Sequence, residues 1–152
     1  MPRRTPDPTA LIETRFADQL RALGLHGTRA RVMVALSGGV DSVVLLHLMR
    51  FAAEDAGIDV LAAHCDHAMR DGSDADERWV AGLCAAWGVP LSVRRADREL
   101  RGEADARAWR YAALREMMRE AGATHLATAH QALAWEGDNK EQFHEPDAQA
   151  QP

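Results

Sequence analysis

Three groups of residues have the types and spacing to do chemistry. The first is Ser37-Gly38-Gly39-Val40-Asp41-Ser42, set between the apolar run Arg31-Val32-Met33-Val34-Ala35-Leu36 and the apolar stretch Ser42-Val43-Val44-Leu45-Leu46-His47-Leu48-Met49. Paired glycines between a buried strand and a buried helix permit positive φ values and close approach to an anion, and the N–H groups that open the helix point at it. Ser37 and Ser42 add hydroxyl donors, and Asp41 adds a carboxylate able to hold a magnesium ion against a phosphate. Neither GxxxxGK[ST] nor GxGxxG occurs, so the cradle is of another type. The second group is His64-Cys65-Asp66-His67-Ala68-Met69-Arg70. Its HxxH spacing suits two zinc ligands, but no third or fourth ligand cluster stands nearby, and the pair more simply lines a pocket. The third is Glu103, Arg107 and Arg110, at i, i+4 and i+7 on one helical face, a spacing that an ordinary surface salt bridge shares.

Positioning these groups requires alternating elements. Thr9 followed by LIETRFADQL reads as a capped helix with an apolar stripe at Leu11, Ile12, Phe16, Leu20 and Leu23. Residues 31–36 form a first strand covered on both faces, and residues 42–56 a central, buried helix stopped by Gly57. Strands follow at 59–64, 91–94 and 125–128, separated by helices at 73–87 and 103–120. Trp79 and Trp87 are expected on the sheet-facing side of the first of these helices. The order α-β-α-β-α-β-α-β predicts an α/β fold, a parallel sheet with helices on both faces. The first strand is then central, with the site at the carboxyl ends of strands one and four.

Composition narrows the class. Apolar residues make up 47% and charged residues 27%, as in ordinary globular proteins. No apolar run is long enough to span a bilayer and the arginines near the start are not followed by an apolar segment, so no membrane partner and a cytoplasmic location are expected. Cys65 and Cys84 form no CxxC pair and are expected reduced and buried. The net charge of −5 is uneven, since residues 131–152 hold five acids against Lys140. Residues 94–119 carry eight arginines against five acids, enough for a phosphate-facing patch or for a solvated helix. The expected organisation is a lead-in at 1–30, a nucleotide-binding domain at 31–130 and a polar tail at 131–152.

The Ser37–Ser42 loop resembles the SGGxDS hallmark of the ATP pyrophosphatases, which have an adenine nucleotide alpha hydrolase-like fold and cleave ATP between the α- and β-phosphates. Within that group, His64-Cys65-Asp66-His67-Ala68-Met69-Arg70 resembles the HVDHGLR signature of the tRNA(Ile)-lysidine synthases. Residues 103–111 resemble their EAxARxxRY, and Leu126-Ala127-Thr128-Ala129-His130 their LATAH. The resemblance covers roughly residues 30–130. It implies ATP and Mg2+ as cofactors, tRNA(Ile) and free lysine as partners, and lysidine as product through an adenylated C2 oxygen of the wobble cytidine. It also implies nucleotide binding by Ser37, Gly38, Gly39, Val40, Asp41, Ser42 and His64, with Asp41 as metal ligand. Substrate contacts fall to His67, Arg70 and Glu103, and catalytic roles to Asp41, Arg107 and Arg110.

After His130 the sequence departs from that family's pattern. Where the family shows a stretch like AHHxDDQxET, this chain has Leu133 and Ala134 in place of the two aspartates, and neither can coordinate a cation. The alternative expectation is therefore a remnant that binds ATP without completing the reaction. A sulfur-inserting thiolase with the same loop would need cysteine chemistry that Cys65 and Cys84 do not supply.

Overall fold

The fold is known from a computed structural model, which describes residues 7–68 and 72–129. Helix α1 (Pro8–Ala22) leads into strand β1 (Arg31–Ala35), helix α2 (Val40–His47), a π-helical turn (Leu48–Ala52) and a short 3-10 turn (Glu54–Ala56). Strand β2 (Asp59–Asp66), helix α3 (Ser73–Trp87), strand β3 (Leu91–Arg95), helix α4 (Gly102–Ala121) and strand β4 (His125–Ala127) complete it. All pairings are parallel and the sheet order is β3-β2-β1-β4. Val32 faces Val60 on one side and His125 on the other, so β1 is central as expected.

The alternation of side chains along β1 divides the core in two. Val32 and Val34 pack with Leu20 of α1, Leu45 and Leu46 of α2 and Val80 and Cys84 of α3. Met33 packs on the opposite face with Leu126 and with Tyr111, Leu114 and Met117 of α4. The helices therefore cover both faces. Strand order runs β1 to β2 to β3 in one direction and then reverses to β4, and with right-handed crossovers the reversal carries α4 to the other face. The reversal opens a crevice between the carboxyl ends of β1 and β4.

Local chemistry corrects several sequence expectations. The cap of α1 is Asp7, which accepts the Thr9 N–H at 3.0 Å, with Pro8 opening the helix, rather than Thr9. Leu11 and Ile12 are exposed, and only Leu20 of the expected stripe is buried. The helix after the glycine loop is interrupted: the Ala53 N–H donates to Leu48 O, five residues back, at 3.0 Å, which widens the turn. Val40, Val44 and Phe51 on its outer side are exposed, so it is buried on one side only. Trp79 faces solvent, whereas Trp87 packs edge-on against Phe51 and His47. Cys65 and Cys84 are both free thiols, the first only half-buried.

Candidate functional site

The segment Ser37–Ser42 occupies the turn from β1 into α2 and is held by its own hydrogen bonds. The Ser37 N–H donates to Ser42 Oγ at 3.2 Å, and the two hydroxyl oxygens lie 3.1 Å apart. Ser42 Oγ donates to Gly39 O at 2.9 Å, and the Gly39 N–H donates to Ser37 Oγ at 3.2 Å. Ser42 is buried, so these bonds form in a partly dry setting that strengthens them. Positive φ is confined to Gly38, at 93°; Gly39 has φ −72° and serves as the N-cap of α2, which corrects the expectation that both glycines need the left-handed region. The first N–H groups of α2 have no intrahelical acceptor by construction, so they form an anion-facing end. Asp41 stands in that first turn.

A cleft of about 700 Å³ opens over this loop. The structure brings to it Ser37, Gly39, Val40, Asp41, Ser42, His64, His67, Glu103 and Arg110. Arg107 instead lines an adjoining cavity of about 460 Å³, which shares His67, Glu103 and Arg110 with the larger one, and its guanidinium lies 5.1 Å from the Tyr111 ring centroid. Arg70 and His130 lie outside the described residues, as do Leu133 and Ala134.

Strand β2 runs two residues further than hydropathy suggests, through Cys65 to the buried carboxylate Asp66. His64 is 4% exposed and Asp66 3%. His64 Nδ1 lies 2.7 Å from Leu36 O, and since a carbonyl only accepts, Nδ1 carries a hydrogen and donates it. The tautomer and the ring plane are thereby set. Asp66 accepts the Ala68 N–H at 2.8 Å and pairs with Arg95 Nε at 3.0 Å, while the same guanidinium reaches Asp74 of α3. Ala68 sits at φ 53°, a conformation unfavourable for alanine that the Asp66 carboxylate helps to hold.

His67 follows directly. Its ring stands edge-on to Trp109 with centroids 5.4 Å apart, and its Nδ1 is buried without a hydrogen-bond partner. Burial, then Arg110, holds this imidazole below the ordinary histidine value, against the opposing pull of Asp66 and Glu103. Burial likewise pushes the Cys65 thiol up to about 11, with Arg110 and Arg94 pulling the other way, so the thiol stays protonated and weakly reactive.

Burial of Asp66 favours its neutral form, but the Ala68 N–H, Arg95 and Ser73 outweigh it and hold the carboxyl below its usual range. A depressed folded value means stabilisation that is complete above the unfolded value of about 3.9 and lost as pH falls through the folded one. Asp66→Asn should therefore lower the urea midpoint near neutral pH, and the gap to the parent should narrow below about pH 4. A gap independent of pH would refute this account.

Among the described residues no cluster of three or more His, Cys, Asp or Glu side chains could hold a metal unaided. Asp41 nonetheless suits magnesium, which takes one or two carboxylates and fills its remaining positions with phosphate oxygens and water. Arginines of the basic stretch are committed to carboxylates: Arg94 to Glu120, Arg95 to Asp66 and Asp74, and Arg98 to Asp105 through two bonds of 2.8 Å. The excess of positive charge is thus partly structural. Asp66, Cys65, Asp76, Tyr111 and Thr128 also line the cleft without being marked as site residues by the sequence, although all but Asp76 lie within the quoted motifs.

A family model for the PP-loop domain matches residues 12–143. Curated relatives include a tRNA(Ile)-lysidine synthase of Gloeobacter violaceus, 40% identical over 109 residues that cover 72% of this chain and 34% of that protein. Another, from Synechococcus sp., is 35% identical over 118 residues, covering 78% and 36%. The chain thus spans about a third of the length of these relatives. Among solved structures, the U34-tRNA thiolase NcsA from Methanococcus maripaludis matches with a TM-score of 0.66 at 16% identity, covering 80% of this chain and 45% of that one. The NH3-dependent NAD synthetase from Campylobacter jejuni gives 0.56 at 13%, covering 80% and 56%. At such identities the likeness is one of fold.

Proposed function

From the premise that this chain belongs to the PP-loop domain family, we propose that it binds ATP on the Ser37–Ser42 loop and ligates lysine to the wobble cytidine of a tRNA(Ile). The C2 oxygen of the base attacks the α-phosphorus and pyrophosphate leaves; the lysine amine then attacks C2 and AMP departs with the oxygen. Adenylation converts a poor leaving group into a good one. The observation that carries the reading is the prefolded loop at the β1 end, whose α2 N–H groups and Ser37 and Ser42 hydroxyls converge where the strand order reverses.

Roles follow from placement. The loop N–H groups hold the phosphates, and His64, with its ring fixed by Leu36 O, forms the wall of the nucleotide pocket. Arg110 lies at the boundary of both cavities, beside the path of developing negative charge, and Arg107 and Glu103 line the second cavity, which suits a ligand bearing both signs of charge. Asp41 would hold Mg2+, which when bound would offset the charge on the departing pyrophosphate.

The reading is tested by incubating the chain with ATP, magnesium, lysine and unmodified tRNA(Ile). Lysidine by mass spectrometry, with AMP released in equal amount, is expected. ATP bound without AMP release would reduce the function to nucleotide binding and overturn the ligation.

A further inference from the structure

We propose that Tyr111 is a positioning residue for the reaction: its ring holds the guanidiniums of Arg107 and Arg110 at the two cavities and leaves the charge of Arg110 available to the site. The proposal rests on the ligation reading and goes beyond it in assigning what aims the cations that act there.

Both guanidiniums lie over this one ring, that of Arg107 5.1 Å from its centroid and that of Arg110 5.4 Å. Each is within the reach of about 6 Å at which a cation is drawn to an aromatic face, and a planar guanidinium suits such a face better than an ammonium does. The helix sets this up: side chains of α4 tilt toward its N-terminus, so the ring at 111 comes back over the turn that carries Arg107. The support is rigid. Tyr111 is 9% exposed and packs with Met33, Leu114 and Met117 in the core on the α4 side of the sheet, and it also lines the cleft over the phosphate loop.

Charge distinguishes this support from the others along the same stretch. Arg94, Arg95 and Arg98 are held by carboxylates, which fix a guanidinium and offset its field at once. Arg110 is held by an aromatic face and, among the described residues, by no carboxylate, although Glu103 lines the same two cavities. Its charge is felt around it: after burial, Arg110 is the next influence on both Cys65 and His67, favouring the thiolate of the one and disfavouring the imidazolium of the other. Because Arg110 lines both cavities, a cation fixed there meets negative charge in the cleft and on a ligand beside it. Such a charge stabilises a transition state only if it is already in place, and a long flexible side chain is not in place unless something holds it. The Tyr111 ring does so without cancelling the charge.

The experiment measures adenylation in single turnover with ATP, magnesium and tRNA(Ile), and ATP affinity by titration calorimetry. Tyr111→Phe keeps the ring face and should stay within about threefold of the parent in both. Tyr111→Leu keeps apolar bulk but gives up the face, and should slow adenylation by on the order of 10–100-fold while ATP affinity, supplied by the loop, changes by less than about threefold. In an Arg110→Met background the same change should cost little more, because the ring acts through a guanidinium that is already gone. Phenylalanines of increasing fluorination at position 111 keep the ring's shape while draining its negative face, and adenylation should fall step by step along the series, which a merely structural role would not produce. The role is refuted if fluorination leaves the rate unchanged, if Tyr111→Leu matches the parent or weakens ATP binding as much as it slows adenylation, if its loss adds in full to that of Arg110→Met, or if Tyr111→Phe falls as far as Tyr111→Leu. A parent that forms no adenylated tRNA overturns the ligation reading itself, and the role of Tyr111 with it.

Discussion

Gly38→Val is expected to abolish nucleotide binding. At φ 93° the backbone lies where a β-branched residue is a genuine outlier, at a cost of about 1–3 kcal/mol. A Cβ at this position would already sit 3.7 Å from Val80 Cγ2, and the two further methyls of valine would press on a side chain that is fully buried against the sheet. Overpacking of that kind adds about 1–3 kcal/mol. The cheapest escape is for the loop to leave its conformation, which breaks the Ser37 to Ser42 bonds and turns the α2 N–H groups away from the phosphates. Gly39→Ala provides the contrast. With φ −72° and ψ 157° any residue fits the backbone, and the added methyl meets only Ser37 Oγ at 3.4 Å. Titration calorimetry with ATP and magnesium should show affinity falling at least 100-fold for Gly38→Val, about 2.7 kcal/mol, and much less for Gly39→Ala. The reverse order would mean that the loop does not bind in this conformation.

Asp41→Asn should remove most of the magnesium dependence of ATP binding and slow adenylation by on the order of 10²–10³, the usual cost of losing one well-placed charge at a reacting centre. Of the carboxylates around the cleft, Asp66 is already held by Arg95 and the Ala68 N–H, and Asp41 stands in the first turn of α2, the phosphate-facing one. Asparagine keeps the shape and gives up only the charge. The accompanying loss at the helix N-terminus is about 0.3–1 kcal/mol, too small to unfold the chain, so binding and rate can be compared directly. A variant whose ATP affinity still rises with magnesium as the parent's does would place the cation elsewhere.

The sequence reports this fold well where its signals are strong. An apolar run of five or six residues followed by paired glycines locates β1 and its loop, and glycines mark the ends of α3 and α4 to within a residue. The carboxyl end of β2 escapes because hydropathy marks strands by apolar residues, while this strand runs on through Cys65 to Asp66, a carboxylate buried only because Arg95 and the Ala68 N–H await it in three dimensions. The exposed Leu11, Ile12 and Trp79 fail for the converse reason: a helical period says which side chains share a face, not whether anything covers it. In the site, the Ser37–Ser42 cradle is local and legible. The division of the third group is not, since Arg107 and Arg110 share a helical face and line one cavity together while only Arg110 also reaches the cleft over the loop, a distinction set by how α4 crosses the sheet.

The π-helical turn at Leu48–Ala52 has a meaning for the chain's length. It holds one residue more than an α-turn would, accommodated by the wide bond from the Ala53 N–H to Leu48 O. Removing one residue there converts the wide turn into an ordinary one and leaves both flanking segments facing as before. The same deletion inside α4 would swing everything beyond it by about 100° and carry half of its buried side chains into solvent. The turn is therefore a joint at which this part of the chain can shorten by one residue without disturbing the phosphate loop on one side or strand β2 on the other.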